Sequence, residues 1–307
     1  MKFTVPIVLL TYNRPHLTRR VLELVQQIQP VELFVVGDGA RESCADDRRL
    51  VQQTREIIDN IQWVDHLRVD FAEKNLGCKR RVSSGLDWVF SQVEQAIVLE
   101  DDCLPDLSFF GYCAALLDKY RDDRRVMSIA GVNFQKQKAR TEYSYYFSKY
   151  FQSWGWASWR RAWQHFDLHL EGWPEFQSNG GIASLADSPL EQRFWERIFD
   201  QQHAGQTNSW AYAFAFACFH QRGLTAIPNV NLVSNIGFGD TATHTTSVQH
   251  SLANVPTFPM AHVCHPNAVF QHQQADEYTF RNAYRAHRKK GLAKLYHGVR
   301  KRLRAAG

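Results

Sequence analysis

The chain has 307 residues, of which 44% are hydrophobic and 13% aromatic, so it can form a large packed core and is not a disordered protein. Its formal net charge is +5, but residues 281–307 contain ten Lys or Arg and no acidic residue, which leaves −5 on the rest of the chain. Because the basic tract is confined to this end and no nucleic-acid-binding motif accompanies it, we expect no nucleic-acid partner.

Strand and helix patterns alternate along the first 120 residues. Apolar, β-branched runs predict strands at 5–12, 31–36, 67–71 and 96–99, and helical periodicity predicts helices at 15–29, 45–61 and 79–95, with a further helix opened by Pro105. Four strand–helix units predict an α/β fold with a mostly parallel, Rossmann-like sheet and helices on both faces. Ligands of such sheets bind outside the carboxyl ends of the strands.

The six cysteines form no C-x-x-C pair and are scattered among predicted elements, which indicates reduced core thiols in a cytosolic protein. The apolar start, residues 3–12, lacks a small-residue cleavage site and predicts a buried strand rather than a signal peptide. No apolar stretch reaches the roughly 18 to 20 residues that cross a bilayer. We therefore expect a cytoplasmic protein that contacts the inner face of a membrane peripherally at most.

Three acidic residues, Glu100, Asp101 and Asp102, directly follow the buried run 96–99. Adjacent carboxylates are costly beside a core unless they are neutralised, and a hard divalent cation such as Mn²⁺ or Mg²⁺ is the usual partner. On an extended strand end, Glu100 and Asp102 would point to one side and Asp101 to the other. The alternative without a metal is an acidic loop that caps the next helix.

Polar residues also end the other predicted strands, and together they predict a polar crescent along one edge of the sheet. They are Thr11, Tyr12, Asn13 and Arg14 after the first strand, Asp38 after the second, and Asn75 and Lys79 after the third. No glycine-rich phosphate-binding loop of the P-loop or dinucleotide type is present. A metal ion would then have to stabilise phosphate charge, as it does for a nucleoside diphosphate leaving group.

Four segments resemble the GT-A glycosyltransferases, most closely bacterial family-2-like sugar transferases and the N-acetylglucosaminyltransferase I group. They are PIVLLTYNR (6–14), AIVLEDDCLP (96–105), SWGWASWR (153–160) and PNVNLVSNIG (228–237), and the likeness covers about residues 3–245. The resemblance implies a metal-dependent hexosyl- or N-acetylhexosaminyltransferase of bacterial polysaccharide biosynthesis. It would move a sugar, with inversion, from a nucleotide diphosphate sugar, with UDP-sugar favoured, to a glycan or glycolipid acceptor.

The same resemblance implies roles for individual residues. Asp102 would be the metal ligand, Glu100 and Asp101 would contact the donor sugar and ribose, and the nucleotide pocket would be lined by Thr11, Tyr12, Asn13, Arg14 and Asp38, with Asn75 and Lys79 as extensions. Trp154 and Trp156 are either apolar platforms for sugar or core residues. His244, near Asp240 on a polar loop, would contact diphosphate or metal as that loop closes over the donor.

The resemblance fails at the catalytic base. The resembled group has an acidic residue after a tryptophan at the start of a late helix, predicted here at 209–221, but Trp210 is followed by Ala211, which cannot accept a proton. Three explanations stay open: an engineered inactivation, a base displaced to Asp240, Asp200 or Glu196, or a protein that binds donor without efficient transfer.

Two other functions compete with this hypothesis. A sugar-nucleotide-forming nucleotidyltransferase would favour a glycine-rich triphosphate loop after the first strand, and residues 11–14 contain no glycine. A catalytically impaired carbohydrate-binding protein would agree with Ala211 and with the nine tryptophans, and it would bind glycan without nucleotide.

The predicted organisation is one GT-A domain over residues 1–270, with a nucleotide-binding half at 1–125 and an acceptor-side half at 126–270. A basic helical tail follows at 271–307, where Leu292, Leu295 and Tyr296 recur at helical spacing. Residues 281–307 could form a membrane-surface helix or remain a solvated basic helix, and the sequence leaves both open.

Overall fold

The computed structural model describes residues 2–238 and 253–284. The strands are β1 (Ile7–Thr11), β2 (Glu32–Gly37), β3 (His66–Phe71), β4 (Gln95–Glu100), β5 (Cys103–Pro105), β6 (Val126–Ala130), β7 (Tyr145–Ser148), β8 (Trp156–Trp159), β9 (Leu224–Pro228) and β10 (Val233–Asn235). The helices are α1 (Pro15–Gln27), α2 (Ala45–Asp59), α3 (Gly77–Gln92), α4 (Ser108–Lys119), α5 (Arg160–Trp163), α6 (Trp173–Ser178), α7 (Pro189–His203), α8 (Ala211–His220) and α9 (Gln273–Thr279), followed by a π-helical turn, Phe280–Tyr284.

One sheet organises the described part of the chain, with eight strands in the order β3-β2-β1-β4-β8-β6-β9-β7. Strands β1 to β4 pair in parallel and β6 pairs in parallel with β9, whereas β8 and β7 run antiparallel to their neighbours. The predicted α/β fold with a mostly parallel sheet is confirmed. The sheet continues from β4 to β8 and so joins residues on both sides of position 125.

Helices cover both faces of this sheet, as the sequence predicts. Ile7 and Leu9 of β1 face a cluster that includes side chains of α1 and α4, and Val8 and Leu10 face a second cluster with side chains of α3 and α8. Because both faces are buried, the central strands are continuous apolar runs rather than alternating ones. The polar residues of these strands are therefore confined to their ends.

The stretch after the acidic residues differs from the prediction that Pro105 opens a helix. Pro105 is the last residue of β5, which pairs antiparallel with β10, and α4 begins only at Ser108. The Asp106 carboxylate caps this start by accepting hydrogen bonds from the Ser108 backbone N–H at 2.9 Å and its hydroxyl at 2.6 Å. The helix prediction was wrong in its onset because β10 comes from a distant part of the chain.

The segment that follows residue 253 packs onto the edge strand β7. Gln271 forms a bridge to Phe147, and Asp276 of α9 is fully buried. The Asp276 carboxylate accepts hydrogen bonds from the Ser148 hydroxyl, the Lys149 backbone N–H at 3.1 Å and the Gln271 amide at 2.9 Å. Burial nevertheless raises the pKa of Asp276 to about 7.

All six cysteines are free thiols, in agreement with the expectation of no disulfide framework. Cys103, Cys113 and Cys218 are buried, but Cys264 is exposed, so the expectation of core thiols is wrong for Cys264. Among residues 2–238 and 253–284, no helix is long and apolar enough to span a membrane.

Candidate functional site

A cavity of about 310 Å³ opens at the carboxyl ends of β1, β2 and β4. Of the residues that the sequence predicts as functional, it is lined by Thr11, Tyr12, Arg14, Asp38, Asn75, Glu100, Asp101, Asp102 and Trp154. Other lining residues, which the sequence did not single out for function, include Arg41, Gly77, Cys78, Arg81, Asn208, Asn235, Gly237 and Phe238. The cavity thus brings together side chains that follow several parallel strands at one edge of the sheet.

Arg14, at the start of α1, joins two of the three consecutive acidic residues. Its Nη1 donates to Asp102 Oδ2 at 2.7 Å and lies 3.3 Å from Asp101 Oδ1. The chain turns after Glu100, so Asp101 and Asp102 do not take opposite sides as on an extended strand but share one guanidinium. All three of these side chains are largely buried, with about a tenth of each exposed.

Glu100, the last residue of β4, also lines the cavity, and no residue within 2–238 or 253–284 donates a hydrogen bond to its carboxylate. Burial and the neighbouring carboxylates of Asp102 and Asp101 raise the pKa of Glu100 to about 8. Burial raises the pKa of Asp101 to about 7, although Arg14 acts in the opposite direction. Three carboxylates thus lie beside one guanidinium, and ionising all of them together is costly unless a further cation binds.

The segment Asn235–Gly237 wraps around Asp102. The Asn235 side-chain amide donates to Asp102 Oδ1 at 3.3 Å, and the Ile236 N–H donates to the Asp102 carbonyl at 2.9 Å. A Cβ on Gly237 would lie 2.1 Å from Asp102 Oδ2, so any larger residue there would displace the Asp102 carboxylate. The antiparallel pair of β5 and β10 produces this arrangement by bringing Asn235 opposite Cys103.

Asp38 follows β2 and binds the loop that leads into α3. One carboxylate oxygen accepts from the Gly39 N–H at 2.8 Å and the Leu76 N–H at 2.9 Å; the other accepts from the Gly77 N–H at 2.9 Å and the Asn75 amide at 3.1 Å. α3 has no side-chain cap from its own N-cap residue. Asp38, which follows β2, supplies that cap instead. Its negative charge also lies at the positive, N-terminal end of the α3 dipole.

Asp47, in the first turn of α2, holds a second group of site residues together. Its carboxylate accepts from the Tyr12 hydroxyl, from the Asn13 amide at 2.7 Å and from the Arg41 guanidinium at 2.5 and 2.9 Å. The Arg41 guanidinium holds the pKa of Asp47 well below its usual range, although the Asp47 side chain is almost fully buried. Sequence reasoning missed Asp47 and Arg41 because neither lies within a recognised motif.

The two tryptophans of the SWGWASWR segment have different surroundings. Trp154 lines the cavity and packs edge-on against Phe238, with ring centroids 5.6 Å apart. Trp156 is fully buried in β8 and stacks on Trp210 at 5.7 Å. Trp156 therefore presents no face to a sugar and belongs to the core, which was one of its two expected roles.

Two further residues predicted for nucleotide binding lie beside the cavity rather than on it. The Asn13 amide is bound to Asp47, and the Lys79 backbone N–H lies 3.4 Å from Asn208 Oδ1. Burial lowers the pKa of Lys79. Asp240 and His244 lie outside the residues that the structure describes.

Comparison with known proteins shows a likeness in structure alone. No protein-family model matches the sequence, and no curated protein matches it significantly. A crystal structure of GalNAc-T7 with UDP, GalNAc and Mn²⁺ aligns with a TM-score of 0.51 and 11% identity over 80% of this chain. The chain has a GT-A-like fold. It matches only 46% of the GalNAc-T7 chain, somewhat less than half its length.

A second solved structure, mannose-1-phosphate geranyltransferase from Thermus thermophilus, aligns less well. Its TM-score is 0.38 and its identity 11%, over 74% of this chain and 73% of that one. This likeness is too weak to bear on the fold or the activity.

Position 211, where the family resemblance implies the catalytic base, carries alanine rather than an acidic residue. Ala211 is the first residue of α8 and does not line the cavity. Two of the alternative bases lie on α7, away from the cavity: Asp200 accepts from the Trp173 indole N–H at 3.0 Å, and Glu196 accepts from the Gln192 amide at 2.8 Å. The third alternative, Asp240, is outside the described residues.

The protein oxygens around Asp102 could supply some, but not all, of the ligands that a metal ion needs. Within residues 2–238 and 253–284, no group of three or more His, Cys, Asp or Glu side chains could hold a metal by itself. The cluster of carboxylates around Asp102 suits a hard cation, and Mg²⁺-type sites commonly use one or two carboxylates plus phosphate oxygens. These residues therefore fit an ion that arrives together with a phosphate ligand rather than a permanent protein cage.

Proposed function

We propose that this protein is a glycosyltransferase that moves a sugar from a nucleotide diphosphate sugar to a glycan or glycolipid acceptor, with Mn²⁺ or Mg²⁺ bound through Asp102. The observation that carries the proposal is the cavity at the carboxyl edge of the GT-A-like sheet, where the Asp101 and Asp102 carboxylates pair with the largely buried Arg14 guanidinium and Glu100 lines the same cavity. The carboxylates of this cavity suit a divalent cation. Because the protein would supply few ligands to that cation, coordination positions would remain for diphosphate oxygens.

A divalent ion bound there would stabilise the negative charge that develops on the diphosphate leaving group. The chain's own residues would bind and orient the donor. The Glu100 carboxylate, with no hydrogen bond from the described residues, can accept hydrogen bonds from sugar hydroxyls. Arg41, held by Asp47 with about half of its side chain exposed, offers a cation at the mouth of the cavity. Trp154 offers an apolar surface to a sugar ring.

UDP-sugars are the donors to test first, because the GalNAc-T7 structure contains UDP, GalNAc and Mn²⁺. The test is a thermal-shift screen of UDP, GDP, CDP and TDP, each with Mn²⁺ or with EDTA, since a ligand that binds only the folded state raises its melting temperature. We expect one nucleotide to stabilise the protein only with metal, and Asp102→Asn to abolish the effect. Asp118→Asn, which changes an exposed aspartate, is the matched control. No stabilisation by any nucleotide with metal would contradict the proposal.

The acceptor and the cellular location are part of the same proposal. We place the protein in the cytoplasm, with residues 281–307 docking on the anionic inner face of the membrane beside a glycolipid acceptor. Deletion of 285–307 keeps the segment through Tyr284 intact and should abolish cosedimentation with anionic vesicles. Equal sedimentation of the full and shortened chains would exclude this docking.

A donor-binding or glycan-binding protein without efficient transfer is the second candidate, and Ala211 is the observation that favours it. Ala211→Asp separates the two functions. A gain in transfer rate in this variant would show that the vacant position limits catalysis, whereas an unchanged rate would show that position 211 never supplied the base. Glycan binding that needs neither nucleotide nor metal would support the second candidate.

A further inference from the structure

Asp102, the proposed metal ligand, already has partners for both carboxylate oxygens. Oδ2 accepts from Arg14 at 2.7 Å, and Oδ1 accepts from the Asn235 amide at 3.3 Å, with the Cys103 thiol at 3.6 Å. A metal ion held by Asp102 would have to share one of these oxygens with its present partner. The ion and the Arg14 guanidinium would then be two cations around one carboxylate, in a site largely shielded from water.

Arg14 and a divalent ion therefore repel each other while the site holds no other anion. The repulsion is strong because the low effective dielectric of a buried site screens charges weakly. A bound diphosphate changes this balance, since its oxygens can accept hydrogen bonds from Arg14 while they also coordinate the ion. Arg14 is suited to such an exchange because it lines the cavity beside Asp102.

We propose that Arg14 is an exchangeable counter-ion: it neutralises Asp101 and Asp102 in the empty site, suppresses binding of metal alone, and pairs with the diphosphate when nucleotide and metal bind together. This inference rests on the proposed function. In this proposal Arg14 causes cooperative binding of metal and nucleotide. The diphosphate pairs with Arg14 and so reduces its repulsion of the metal, and the metal frees Arg14 from Asp102 and so makes it available to the diphosphate.

The experiment is a Mn²⁺ titration, with free Mn²⁺ measured by electron paramagnetic resonance, on the wild type, Arg14→Met and Arg14→Lys. Without nucleotide, we expect Arg14→Met to bind Mn²⁺ at least about tenfold more tightly than the wild type, because a neighbouring positive charge is removed. Arg14→Lys keeps the charge and should remain close to the wild type. With UDP, Mn²⁺ affinity should rise at least about tenfold in the wild type and much less in Arg14→Met.

Thermal stability gives a second readout that also serves if Arg14→Met is unstable. Arg14→Met leaves Asp101 and Asp102 without their cation, so its melting temperature in EDTA should be lower than that of the wild type and should recover with Mn²⁺ alone. Mn²⁺ alone should barely change the melting temperature of the wild type. Metal affinity in Arg14→Met that is equal to or weaker than in the wild type would overturn the counter-ion role. Failure of the wild type to bind Mn²⁺ even with nucleotide would instead overturn the proposed function.

Discussion

Asp38 provides a direct test of how the site is built, because the family resemblance implies a role in nucleotide binding, whereas in the structure its carboxylate holds the loop that leads into α3. It accepts four hydrogen bonds between 2.8 and 3.1 Å and is only 6% exposed. A carboxylate has about four lone-pair positions, so few remain for a ligand. Asp38→Ala should therefore destabilise the fold as well as weaken binding.

The magnitude follows from the bonds that are lost. A hydrogen bond contributes about 1 kcal/mol net, and the loss of a helix cap alone costs about 1 kcal/mol. Because the cavity lets water replace some of the four partners, we expect Asp38→Ala to lower the free energy of unfolding by about 3 kcal/mol. Asp38→Asn keeps one oxygen but turns an amide toward the N–H groups of Gly77 and Asn75, so it should cost about 2 kcal/mol.

The assay is urea unfolding followed by tryptophan fluorescence, with Asp65→Asn as the control for loss of a negative charge. Asp65 is 42% exposed at its side chain and forms a surface ion pair with the exposed Lys2, so its substitution should change the free energy of unfolding by less than about 1 kcal/mol. If the free energy of unfolding of Asp38→Ala stays within about 0.5 kcal/mol of the wild-type value, water replaces the carboxylate and the cap on α3 does not stabilise the fold.

Three further outcomes are expected. Trp156→Ala should lower the free energy of unfolding by about 3 to 5 kcal/mol in urea titrations, whereas Trp154→Ala should mainly weaken ligand binding in a thermal-shift assay, because only Trp154 lines the cavity. The raised pKa of Asp276, about 7, means that the folded state keeps this proton longer than the unfolded state, so stability should fall between about pH 4 and 7, and urea midpoints of Asp276→Asn should show a weaker decline. The added Cβ of Gly237→Ala would lie 2.1 Å from Asp102 Oδ2 and displace that carboxylate. The variant should remain folded by circular dichroism but lose the metal-dependent stabilisation by nucleotide. If it keeps that stabilisation, the position of Asp102 beside Gly237 is not needed for binding.

The unusual feature of this site is a run of three consecutive acidic residues at the end of a buried strand. Glu100, Asp101 and Asp102 are kept close together beside a core, although each raises the cost of ionising the next. Arg14 offsets part of this cost in the protein itself. A cationic ligand would lower the remaining cost of ionising these carboxylates, so its binding should stabilise the folded protein.

The sequence alone determined the order of strands and helices from β1 to β4 and the edge of the sheet where the cavity lies. Apolar periodicity is a local property, and the carboxyl ends of parallel strands meet at one edge, so Thr11, Asp38 and Glu100 could be grouped before any coordinates were known. Boundaries such as the onset of α4 were less accurate, because they depend on partners outside the segment.

Only the tertiary structure decided which polar groups serve the cavity and which serve the fold. The pairing of β5 with β10 brings Asn235 and Gly237 to Asp102, and the packing of α2 brings Asp47 to Tyr12. These contacts join residues that are far apart in the sequence and leave no periodic signal in it. Their geometry is set by packing across the whole sheet, which no local pattern encodes.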